Sequence, residues 1–103
     1  MNLLSGMLPS FDTQIQKAEN RGDLVSVNHR VTEFLASYFD ILFALNEMTH
    51  PGEKRMQDIC TKECTILPQH FDSNLNRLFG DMFRNPISPV IRDMVEEIRR
   101  IIP

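Results

Sequence analysis

Apolar residues recur along most of the chain at intervals of three and four, the spacing that gives a helix one buried face. Five segments follow from it. The first is expected over residues 11–20, with Ser10 or Asp12 as cap and Gly22 just past its end, where a left-handed residue is needed. The second is expected from about residue 23 to about residue 48, with Leu24, Val27, Val31, Phe34, Tyr38, Leu42 and Leu45 on one stripe. Its second half is so nearly apolar all round that several neighbours must cover it.

His50, Pro51 and Gly52 are expected to end this central helix, and a shorter one to run over residues 53–63 with Met56, Ile59 and Cys60 on a narrow apolar edge. A fourth carries Phe71, Leu75, Leu78, Phe79, Met82 and Phe83 until Asn85 and Pro86 stop it, and Gly80 within it is suited to close helix packing. The fifth takes Ser88 as cap and Pro89 as first helical residue, then buries Val90, Ile91, Met94, Val95, Ile98, Ile101 and Ile102. Arg92, Asp93, Glu96, Glu97, Arg99 and Arg100 are left for solvent. No alternating run proposes a strand. Short connections between long helices favour antiparallel neighbours, so the expected fold is all-α, an up-and-down bundle of four main helices plus one short helix.

Composition narrows the function classes more than it names one. At 103 residues with ordinary apolar and charged content, the chain is expected to form a single helical domain spanning residues 1–103. A net charge of -3 argues against nucleic acid as a partner, since phosphate neutralisation needs a basic face. No stretch reaches the roughly 18 uncharged apolar residues of a membrane span, and the first nine residues lack a basic leader, so a cytoplasmic location is expected. Cys60 and Cys64 stand four apart without the framework of spaced pairs found in secreted domains. As a zinc site they would need two more ligands, with His70 the nearest candidate. Free thiols are the simpler expectation, with no metal and no cofactor.

Glu33, Ser37, Asp40 and Glu47 fall within an arc of about 80° on the central helix, forming one acidic edge. The plain explanation is a solvated seam between neighbours. His29, His50 and His70 lie on three different segments, with no HExxH spacing to organise them.

Residues 32–55, reading TEFLASYFDILFALNEMTHPGEKR, with LPQHFDSNLNRLF over residues 67–79, carry a family resemblance. They resemble the helical, C-terminal region of bacterial nucleotidyltransferase-like proteins of undefined substrate, the HPGEKR phrase being the most specific piece. Catalytic domains of that superfamily use a Gly-Ser turn and an Asp-x-Asp pair to hold divalent metals. None of Gly6, Gly22, Gly52 and Gly80 is followed by Ser, and no two aspartates are spaced by one residue. The resemblance therefore implies a helical companion domain without catalytic residues.

On that reading His50, Glu53, Lys54 and Arg55 cluster where backbone N–H groups and two cations can hold an anionic ligand group. Asp40 is suited to act as a base or to bind a polycationic substrate, as in an aminoglycoside-type transferase. Alternatively, Glu53 simply occupies a favourable first helical turn and Lys54 and Arg55 are solvated. The expected function is noncatalytic binding of a small-molecule ligand or of a nucleotidyltransferase catalytic domain. The alternative is a self-associating interaction module forming a homodimer through Ile98, Ile101, Ile102 and the methionines Met1, Met7 and Met48.

Overall fold

Helix α1 (Phe11–Asn20) buries Phe11, Ile15 and Ala18, residues four and three apart. The computed structural model describes residues 11–103. α1 ends in a Schellman turn: Gly22 at φ +66° lets its own N–H reach Glu19 O and the Asp23 N–H reach Ala18 O. The chain then reverses directly into α2 (Leu24–Leu45), where Asp23 caps by accepting from the Ser26 N–H at 3.2 Å. α3 (Met56–Glu63), α4 (Phe71–Asp81) and α5 (Ser88–Ile101) follow, and no strand occurs among the described residues. The fold is all-α.

α1 packs against both α2 and α5, and α4 packs against α5. α2 supplies the middle of the core: Val27, Val31, Phe34, Tyr38, Phe39, Ile41, Leu42 and Phe43 are all buried. The six buried side chains from Phe34 onward are thus covered on more than one side, as the apolar composition there requires. The rings form a continuous series. Phe11 meets Phe34 edge-on at 5.5 Å, Phe34 meets Tyr38 at 5.6 Å, and Tyr38 stacks parallel to Phe71 of α4 at 6.3 Å. Burial, with the charge of Glu97 adding to it, raises the Tyr38 phenol well above its ordinary pKa.

Several helix ends differ from the sequence expectation, each for a backbone reason. α2 stops at Leu45 because Glu47 takes φ +54°, closing a second Schellman turn with bonds from Glu47 N to Ala44 O and from Met48 N to Phe43 O. α3 starts at Met56 instead of residue 53, since Arg55 at φ +60° sits left-handed immediately before it. α4 ends at Asp81, and Phe83 follows at φ +64°.

Ser88 is the first residue of α5 and does not cap it; the Glu19 carboxylate of α1 accepts the Ile87 and Ser88 N–H groups at 2.7 and 3.3 Å. A Cβ on Gly80 would meet nothing within 4 Å, so this glycine serves no close packing. Leu24, Phe79 and Phe83, placed on buried stripes by their spacing, are more than half exposed, and Val25 is more exposed still. Conversely, Ile98 is fully buried, while Ile101, Ile102 and Met48 pack against the core and so offer little free apolar surface. Met1 and Met7 lie outside the described residues. Among those described, no helix is long and apolar enough to cross a membrane.

Candidate ligand groove

The loop after α2 folds back on that helix and creates a groove. Thr32, Leu35, Ala36 and Phe39 on α2 form one wall, Met56 at the start of α3 another, and Asp40, His50 and Glu53 add the charged and titratable groups. The groove encloses about 360 Å³, at the low end of the range for small-molecule sites.

His50 is held from two sides. Its ring stands edge-on to buried Phe43, with centroids 5.2 Å apart. Its Nδ1 accepts the Gly52 N–H at 3.0 Å, in a turn that Gly52 allows by adopting φ +93°. An accepting Nδ1 carries no proton, so the neutral ring bears its proton on Nε2. That nitrogen faces Asp40 Oδ1 at 3.7 Å, too long for a hydrogen bond. Both side chains remain about half exposed and free to engage a ligand.

Three of the five expected ligand residues, Asp40, His50 and Glu53, thus line one groove. Lys54 and Arg55 are exposed and lie outside its lining. Glu53 precedes α3 by three residues, so it occupies no first helical turn, and Arg55 at the N-cap makes no side-chain capping bond. The acidic edge is also shorter than its spacing implied. Glu33 is engaged by His29 and Arg30 of its own helix at 3.4 and 3.3 Å, and Glu47 lies past the end of α2.

A polar cluster invisible to the periodicity joins α4 to α5. Glu97, expected in solvent, has a side chain only 12% exposed; its two oxygens meet His70 Nδ1 at 2.9 Å and the Asn74 side-chain amide at 2.8 Å. Asn74 is the buried polar residue of the core region. The one sequence signal was that Asn74 and Glu97 each sit beside apolar positions on their helices. A second concavity, of about 200 Å³, lies between Gly22, Leu24 and the link over residues 83–87. Its carboxylate, Glu19, is already committed to the α5 N-terminus.

Among the described residues no three or more of His, Cys, Asp and Glu group in a way that could hold a metal ion. Comparison with protein-family models, with characterised proteins and with solved structures finds no match.

Proposed function

We propose that this chain is a noncatalytic helical binding domain whose groove beside α2 takes a ligand group with a cation on an apolar body. The observation that carries this reading is the placement of Asp40, His50 and Glu53 around the apolar floor of Leu35, Phe39 and Met56. Among the described residues two carboxylates and no Lys or Arg line the groove, so an amine fits where a phosphate would not. The resemblance of residues 32–55 to the substrate-side region of nucleotidyltransferase-like proteins points the same way. On it, the domain presents an amine-bearing substrate to a catalytic domain, and the helices take the up-and-down arrangement expected from their short connections.

A thermal-shift titration with spermidine and phenethylamine, beside ATP with magnesium, tests the reading. Stabilisation by the amines that is lost in Asp40→Asn/Glu53→Gln supports it. Stabilisation by ATP alone, lost when Lys54 and Arg55 become Ala, would replace it with an anion site.

The exposed Leu24, Val25, Phe79 and Phe83 favour a second reading, a self-associating module using this surface in place of the C-terminal isoleucines. It requires a melting midpoint that rises when protein concentration is raised about tenfold.

A further inference from the structure

Three sulfur-bearing residues, Met48, Cys60 and Cys64, lie where the loop after α2 meets the end of α3. Asn46, the residue just after α2, clamps the backbone beyond α3: its side-chain amide donates to Ile66 O at 2.9 Å, and its side-chain oxygen accepts the Ile66 N–H at 2.9 Å. This clamp ties the segment after Cys64 to the segment before Met48. The Cys64 thiol consequently lies 3.7 Å from the Met48 thioether sulfur. Cys60 lies one helical turn back, its carbonyl accepting the Cys64 N–H at 3.0 Å, so the two buried side chains share one helix face.

We propose that Met48, Cys60 and Cys64 form a three-sulfur site for a soft monovalent metal ion, with copper(I) as the ion the donor set suits. Thiolate and thioether donors select copper(I) over harder cations, and three of them complete a trigonal site. Sulfurs bound about 2.3 Å from one ion, the length of a metal–thiolate bond, stand about 4.0 Å apart in a trigonal plane. The observed 3.7 Å is already close to that separation. Zinc is a poorer fit, because it asks for four ligands and the nearest histidine in sequence, His70, pairs with Glu97 instead.

Cys60 is fully buried, whereas Cys64 and Met48 lie nearer the surface, so an ion enters from the Met48 side. Binding exchanges two S–H bonds for two S–Cu bonds and releases two protons to solvent; the thioether donates a lone pair, and no electron is transferred.

The test is an anaerobic titration of the reduced full chain with copper(I) against bathocuproine disulfonate, with X-ray absorption on the complex. One ion per chain, in a shell of three sulfurs, is the expected result. Cys64→Ala should weaken binding by more than about tenfold, and Met48→Leu, which conserves volume and fold, should remove one sulfur from the shell. Circular dichroism confirms that each variant is folded. Wild-type binding no tighter than that of the Cys60→Ala/Cys64→Ala variant would overturn the proposal, as would a shell unchanged in Met48→Leu.

Discussion

Glu19 and Ile87 are 68 residues apart, yet a carboxylate oxygen of the first accepts the backbone N–H of the second at 2.7 Å. The other oxygen takes the Ser88 N–H at 3.3 Å. α5 thus begins on a cap supplied by another helix, and its own Ser88 makes no side-chain cap. This pins the last turn of α1 to the first of α5 and satisfies two N–H groups that an isolated helix leaves bare.

Glu19→Ala should accordingly lower unfolding free energy by about 1 kcal/mol, the usual cost of losing a cap. Ser88→Ala should change it little. Urea unfolding of both variants checks the contrast, and equal losses would assign the cap back to Ser88.

α1 and α2 end in the same Schellman turn with different residues in its left-handed position. Gly22 occupies it in the first, at φ +66°, and Glu47 in the second, at φ +54°. A side chain there costs about 1 kcal/mol or more. Glu47 is exposed and makes no contribution to the core. Glu47→Gly should therefore stabilise the protein by about 1 kcal/mol. A urea midpoint that falls would show that the turn is formed differently.

Gly80 offers a similar gain for the opposite reason. It lies within α4 with nothing near its missing Cβ. Gly80→Ala should stabilise by about 1 kcal/mol through helix propensity alone, read as a higher melting midpoint.

Asp23 gives the fold a dependence on acid. The Ser26 hydroxyl, donating at 2.7 Å, and then the Ser26 backbone N–H hold its carboxyl below the ordinary value of 3.8. A carboxyl lowered on folding stabilises fully above its unfolded pKa, and that stabilisation is lost as pH falls through the lower folded value. Asp23→Asn retains a capping oxygen but does not titrate. Its stability should decline less steeply than the wild type's below about pH 4 in urea titrations. Parallel declines would remove Asp23 from the acid response.

The core was legible because burial repeats with the helix: Val27, Val31, Phe34, Tyr38 and Leu42 lie on one stripe and are all buried. The helix ends were less so. Glu47, Arg55 and Phe83 take left-handed backbone without being glycine, a choice made by tertiary contacts over local preference. Leu24, Phe79 and Phe83 follow the stripe in spacing and still face outward, because none of the described helices covers them. At the groove, Asp40 and His50 come together because the chain turns back after Leu45, earlier than the His-Pro-Gly sequence placed the end of the helix. Lys54 and Arg55 share the loop but not the groove, since the left-handed turn at Arg55 delays α3. The Glu19 cap and the Glu97 cluster depend on pairs distant in sequence, for which periodicity carries no signal.

Amide NMR spectra of the chain titrated with phenethylamine, for the wild type and for Asp40→Asn/Glu53→Gln, test the binding groove most directly. A cation-binding groove gives saturable shifts at Leu35, Phe39, Asp40, His50 and Met56 in the wild type and their loss in the variant. No saturable shift, or the same shifts in both proteins, would contradict it.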